Sequence, residues 1–152
     1  MNVFMDAAHA TDVIMWHSVT GILIYLMGAP IWWFSKWQNM IESSTFGSEF
    51  VAAKIAVEMV EGIRYKLHMM GISPDGPANC FWDNKSIVLN ATNPASTLKK
   101  KHNSVAYHKV WECSAAGTVH FAHEPGKSNV ADMLTKILPA RKFKEYVKWC
   151  LF

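Results

Sequence analysis

The sequence predicts a single α/β domain, a mixed five-stranded sheet with helices on its faces. Three observations lead there. Short β-branched and aromatic runs, such as Val3-Phe4-Met5 and Cys80-Phe81-Trp82, have strand length and end at acids or turn formers. One long segment between them changes period to three and four residues. The two kinds of element follow the order βββαβαα then βα, without internal repeats or low-complexity tracts.

Val3 to Asp6 makes the first short strand, and Ala7 to Ser18 a connection rich in His and Met. Gly21 to Met27 and Ile31 to Gln38 are expected to pair as an antiparallel hairpin around a Gly28-Ala29-Pro30 turn. Phe46 to Met70 is expected to be helical. Phe50, Ala53, Val57, Val60 and Leu67 form one stripe, interrupted at Arg64, and Gly71 supplies the stop. Pro74-Asp75-Gly76-Pro77 turns the chain into the strand Asn79 to Trp82, and a short helix follows from Lys85 to Ala91. Asn93-Pro94-Ala95-Ser96 is a break, after which Lys99 to Ala116 is predicted helical and Gly117 ends it. Thr118 to Ala122 is the last strand, Glu124-Pro125-Gly126 a turn, and Asn129 to Ile137 a compact helix. Phe143 to Leu151 is expected to form an amphipathic helix packing Phe143, Val147 and Cys150 onto the body, so the chain divides into a domain over 1–138 and a tail over 139–152.

Composition narrows the classes. Half-apolar and 18% charged, the chain is globular and not disordered. A net charge of +3 permits a polyanionic partner without specifying one. The apolar stretch from Val19 to Phe34 is split by Gly28-Ala29-Pro30 into strand-length halves, each shorter than the roughly 20 residues of a spanning helix. The amino terminus lacks a basic region followed by an apolar core and a small-residue cleavage site, so no membrane partner is expected. Cys80, Cys113 and Cys150 are odd in number and lack CxxC spacing, which reads as reduced core thiols of an intracellular protein.

Four acids stand out by position. Asp6 and Asp83 close apolar runs, at the carboxyl ends of predicted strands; Glu49 lies in the first turn of the long helix and Asp132 in the first turn of a late short one. Strand ends and helix starts are where α/β sheets place ligands. Carboxylates gathered there repel one another unless a cation joins them, and hard oxygen donors suit Mg²⁺ or Mn²⁺. The donor set is that of a two-metal phosphodiesterase.

Four ordered blocks carry a resemblance: Ser43-Ser44-Thr45-Phe46-Gly47-Ser48-Glu49-Phe50; Trp82-Asp83-Asn84; Lys100-Lys101-His102 with Tyr107-His108; and Asn129-Val130-Ala131-Asp132-Met133-Leu134-Thr135-Lys136. Together they resemble the ribonuclease H domain of Ty1/copia-type retrotransposon polyproteins, from about Asp6 to about Leu138. The resemblance implies an RNase H-like fold and cleavage of the RNA strand of RNA–DNA hybrids beside an upstream reverse transcriptase domain. It also implies two Mg²⁺ or Mn²⁺ ions held by Asp6, Glu49, Asp83 and Asp132. The chain departs from the family pattern at Ala8, where a second acid is common, at Trp82, usually a small residue, and at Trp111, usually an Arg before Glu112.

Each residue also has a bland reading. Glu49 can favour a helix start through the macrodipole, although Phe46 three places earlier excludes a capping box. It shares a face with Ala52, Ala53 and Ala56, small residues that let a helix lie close to a sheet, and a carboxylate on that side needs a partner. Asn129 and Asp132 equally make an N-cap with an acid three residues on, so the resemblance tips Asp132 toward metal. Asn84 serves either as a cap for the following helix or as a contact for a substrate 2′-hydroxyl. Lys99, Lys100, Lys101 and His102 form either a solvated face or a set of contacts to substrate phosphates. His123 reads as a surface histidine, and most of the seven Trp as core.

Two rival functions follow. One is a catalytically inactive retroelement-derived domain with a structural or nucleic-acid-binding role. The other, an integrase or transposase core, would place its glutamate on a late helix, after both aspartates; here Glu49 lies between Asp6 and Asp83.

Overall fold

A computed structural model describes residues 1–11, 14–93 and 104–151. Its element order is β1 (Asn2–Ala8), β2 (Val19–Leu26), β3 (Ala29–Trp37), α1 (Thr45–Met69), β4 (Ala78–Trp82), α2 (Lys85–Thr92), α3 (Ser104–Ala115), β5 (Val119–His123), a 3₁₀ helix (Val130–Leu134) and α4 (Ala140–Cys150). The five strands form one sheet in the order β3-β2-β1-β4-β5. β1 to β3 are antiparallel neighbours, whereas β4 runs parallel to both β1 and β5. This is the expected mixed sheet with helices on both faces.

Strand alternation divides the residues between two layers. Val3, Met5, Ile22, Ile24, Cys80 and Trp82 face a main core completed by Phe50, Ala53, Val57 and Val60 of α1 and by Ala106, Tyr107 and Val110 of α3. Trp82 is fully buried there, its ring centroid 5.9 Å from that of Phe50 and 6.0 Å from that of Phe121. Leu23, Tyr25 and Phe4 point to the other side, where Val130, Met133 and Leu134 of the 3₁₀ segment and Tyr146 of α4 cover them. The predicted tail helix is present, but Tyr146 anchors it. Phe143 stays 47% exposed, because it falls on the outer side of α4.

Caps locate the helix ends. The Ser44 hydroxyl accepts from the Gly47 amide, so α1 begins at Thr45 and Glu49 stands one turn in, past the first turn. At its other end Gly71 takes φ +77, its amide donates to the His68 carbonyl at 2.9 Å, and the Ile72 amide donates to the Leu67 carbonyl at 2.9 Å. That pair of bonds is a Schellman stop, as Gly71 predicts.

Three further expectations require correction. The hairpin turns at Met27-Gly28, whose φ values of +51 and +85 match the type I′ geometry that strand twist favours; Ala29 and Pro30 already pair with β2. Pro30 is tolerated because β3 is an edge strand, beside an irregularity in register. The late compact helix is a five-residue 3₁₀ helix that ends at Leu134 and does not reach Ile137. Most tryptophans are not core: Trp16, Trp32, Trp33, Trp37 and Trp149 are all exposed, and only Trp82 is fully buried. The physical reason for the β3 trio is position, since an edge strand has a neighbour on one side and the helices cover the inner strands. Among the described residues no helix is long and apolar enough to cross a membrane. Cys80 and Cys113 are free and buried, and Cys150 is half-buried.

The approach of the 3₁₀ segment to the sheet depends on Gly21. A Cβ there would meet Thr135 Cγ2 at 2.6 Å, the Ala131 carbonyl at 3.0 Å and Leu134 Cβ at 3.0 Å. Gly21→Ala should therefore destabilise the domain by about 1–3 kcal/mol through overpacking, read as a lower urea midpoint. A loss below about 0.5 kcal/mol, the scale of an indifferent surface substitution, would show that the segment can move away freely.

Candidate metal centre

The strand register brings the first two acids together. Phe4 of β1 pairs with Phe81 of the parallel β4, and their rings stack 4.9 Å apart. Asp6 and Asp83 each lie two residues further on, at the same end of adjacent strands. Asp6 also lies opposite Gly21, on the face the 3₁₀ segment covers. Asn129 caps that segment. Its Oδ1 accepts from the Ala131 amide at 3.1 Å and its Nδ2 donates to the Met5 carbonyl at 3.0 Å, tying the helix start to β1 one residue before Asp6. Asp132 follows in the first turn, the position an N-cap predicts.

The result is a convergence of Asp6, Asp83 and Asp132, with one carboxylate oxygen from each within 4.8 Å of the others. Asp6 and Asp132 are 3% and 5% exposed. Glu49, 7% exposed, stands beside the trio without joining that group; its Oε2 accepts from Asn84 Nδ2 at 3.0 Å. Asn84 is thereby engaged twice, because its Oδ1 also caps α2 by accepting from the Ser86 amide at 3.0 Å. Lys99, Lys100, Lys101 and His102 lie outside the described residues.

Several residues join the site that local sequence does not mark. The Thr135 hydroxyl donates to Asp6 Oδ2. Lys136 Nζ lies 2.8 Å from Asp132 Oδ1 and 3.2 Å from Asp6 Oδ2, and Lys142 of α4 lies 3.0 Å from Asp132 Oδ2. Thr135 and Lys136 directly follow Asp132 in a matching block, the one local hint; Lys142 has none. His123 is half-buried, not a plain surface histidine, and its Nε2 donates to the Asp83 carbonyl at 3.1 Å. Gly126 gives Asp83 room, since a Cβ there would lie 3.3 Å from Asp83 Oδ2.

Electrostatics show the crowding. Burial, reinforced by the charges of Asp83 and Asp6, pushes the Glu49 carboxyl up to about 7, against the opposing effects of Asn84 and Lys136. Burial and then the Asp6 charge raise Asp83 as well. For Lys136, burial disfavours the ammonium, but Asp132 and Asp6 outweigh it and hold its pKa above the ordinary lysine value. Close hard-oxygen donors, among them Glu49 and Asp83 with their ionised forms disfavoured, fit a divalent cation, which would favour those ionised forms.

Glu49 gives this crowding a pH signature in metal-free protein. Its folded pKa, about 7, exceeds its ordinary 4.5, so between those values the folded state holds a proton the unfolded chain has lost. Stability must fall as pH rises through that window, by up to roughly 3 kcal/mol for this one group, and Asp83 acts in the same direction. Urea unfolding in chelator should show parent protein losing more stability from pH 5 to pH 8 than Glu49→Gln. Equal losses in the two proteins would contradict the shift.

No protein-family model matches the chain. In sequence it is similar to the retrovirus-related Pol polyprotein from transposon RE2 of Arabidopsis thaliana, 26% identical over 146 residues, which are 96% of this chain and 10% of that protein. It is also similar to the corresponding polyprotein from transposon TNT 1-94 of Nicotiana tabacum, 28% identical over 141 residues, 93% of this chain and 10% of that protein. The chain thus spans about a tenth of the length of these curated relatives. In structure it is similar to LC11-RNase H1 in complex with RNA/DNA hybrid, with a TM-score of 0.68 and 17% identity over 88% of this chain and 92% of that one. A foamy viral protease-reverse transcriptase in complex with RNA/DNA hybrid aligns with a TM-score of 0.64 and 12% identity, over 88% of this chain and 19% of that one. The architecture is the RNase H-like fold, and in sequence the chain is similar to a segment of retrotransposon Pol polyproteins.

Proposed function

We propose that this domain is a retroelement ribonuclease H that hydrolyses the RNA strand of RNA–DNA hybrids with divalent metal. The observation that carries the reading is the convergence of Asp6, Asp83 and Asp132 at the strand ends of this fold. Two structurally similar proteins are described in complex with RNA/DNA hybrid, which supports the same substrate class here. The setting we propose is intracellular, in cytoplasm, virus-like particle or nucleus, with a reverse transcriptase domain upstream.

In this reading Asp6, Asp83 and Asp132 hold the metal, and Glu49 completes the set. Two Mg²⁺ or Mn²⁺ ions bound there would supply activation of the attacking water and stabilisation of the leaving 3′ oxygen. The chain's other residues hold the acids in place. Thr135 fixes one oxygen of Asp6, Asn84 orients Glu49, and His123 secures the Asp83 backbone. Asn84 has a second amide hydrogen beyond the one given to Glu49, and we propose it as a contact for a substrate 2′-hydroxyl. Lys99, Lys100, Lys101 and His102 are proposed to meet the phosphate backbone. Residues 1–138 would be the nuclease domain proper, and 139–152 a helical tail that lends Lys142 to the site.

Asp83→Asn keeps the shape of the side chain and removes charge. Cleavage of a labelled hybrid in Mg²⁺ should fall at least about 100-fold, beyond what losing an outer partner of a metal site costs, while metal-free melting temperature rises as repulsion is relieved. Undiminished cleavage would sink the site assignment. If the lysine run binds phosphates, replacing Lys99, Lys100 and Lys101 with Ala should also flatten the salt dependence of hybrid binding, by about 0.9 in slope per lost contact; an unchanged slope would leave the run a solvated face.

A further inference from the structure

Two ammonium groups reach the carboxylate cluster from different elements. Lys136 follows the 3₁₀ segment and bridges two acids, 2.8 Å from Asp132 Oδ1 and within 3.2–3.3 Å of both oxygens of Asp6. Lys142 arrives from α4, 3.0 Å from Asp132 Oδ2, and its ammonium stands 5.0 Å from the centroid of the Tyr146 ring. Every carboxylate oxygen of Asp6 and Asp132 therefore already lies within 3.3 Å of a lysine ammonium. Both aspartates are buried, whereas the Lys136 and Lys142 side chains are 41% and 32% exposed, so these contacts are partly shielded from the solvent screening that weakens surface pairs.

A divalent ion at this site would need the same oxygens and would sit close to two positive charges. Both effects have one sign. Each lysine contact opposes metal binding, and each also relieves carboxylate repulsion in protein without metal.

We propose that Lys136 and Lys142 are resident counter-ions that a divalent ion must displace, so that these two side chains set the metal concentration at which the Asp6, Asp83 and Asp132 site fills. The proposal rests on the metal-site reading above. Lys136 carries the larger share, since it spans two acids whereas Lys142 engages Asp132 alone. The competing idea is that Lys136 is a structural clamp that holds Asp132 ready for metal, and it predicts the opposite sign.

Calorimetric titration of Mn²⁺ into the full chain at pH 8 separates them. Lys136→Met keeps most of the side chain's bulk without its charge, and should bind Mn²⁺ about tenfold more tightly, within the usual range of coupling between two ligands. Its melting temperature should fall in chelator and recover in saturating Mn²⁺. Lys136→Arg should bind Mn²⁺ as the parent does. Lys142→Met should tighten binding by a smaller factor, and it carries the test if Lys136→Met does not fold. Unchanged or weaker Mn²⁺ binding in the Met variants would overturn the proposal while leaving the metal site standing. An absence of Mn²⁺ binding by the parent would overturn both.

Discussion

Carboxylates repel, and burial makes the repulsion worse, so a fold that gathers Asp6, Asp83 and Asp132 within 4.8 Å at the carboxyl ends of its inner strands β1 and β4 needs a source of positive charge. Much of the surrounding structure answers that need. Lys136 and Lys142 lie against the buried aspartates, Thr135 donates to Asp6, and Asn84 donates to the neighbouring Glu49. Burial first, and then the charge of neighbouring carboxylates, keeps the Glu49 and Asp83 pKa values raised. A dication would complete the charge compensation, and the metal dependence we propose rests on this packing.

The sheet makes this crowding unavoidable. Parallel pairing of β1 and β4 sends two acids to the same end, and antiparallel pairing sets Gly21 opposite Asp6, where the missing side chain lets the 3₁₀ segment lie flat. On the other face Ala52, Ala53 and Ala56 are fully buried, so α1 can lie close to the sheet with Glu49 at its amino-terminal end. Trp82 fixes the strand just before Asp83 by filling the main core with Phe50 and Phe121. The departure from a small residue at this position thus has a packing role and leaves the acid in place.

Sequence pattern reveals what is local. Strands and helices are legible because their periods differ, Gly71 marks the end of α1, and an acid closing an apolar run marks a strand end, which located Asp6 and Asp83. The hairpin turn lies earlier than the Gly28-Ala29-Pro30 pattern implies because Met27, which carries no turn preference, takes positive φ. The β3 tryptophans read as core because hydrophobicity does not distinguish an edge strand from a central one. Lys136 meets Asp6 across 130 positions, and Lys142 reaches Asp132 from a separate helix, so only tertiary structure shows either pairing. Asn84 was legible as a cap, but its second role depends on where α1 places Glu49.

The most direct measurement is the melting temperature of the parent protein in Mn²⁺ against chelator, at pH 8 and at pH 5. A ligand that binds only the folded state stabilises it by RT ln(1 + L/Kd), where L is the free ligand concentration, and protons compete with metal for the crowded acids. Mn²⁺ should raise the melting temperature at pH 8, by several degrees at concentrations well above Kd, and much less at pH 5. No gain at pH 8, or an equal gain at the two pH values, would contradict a buried carboxylate site built to take up a divalent ion.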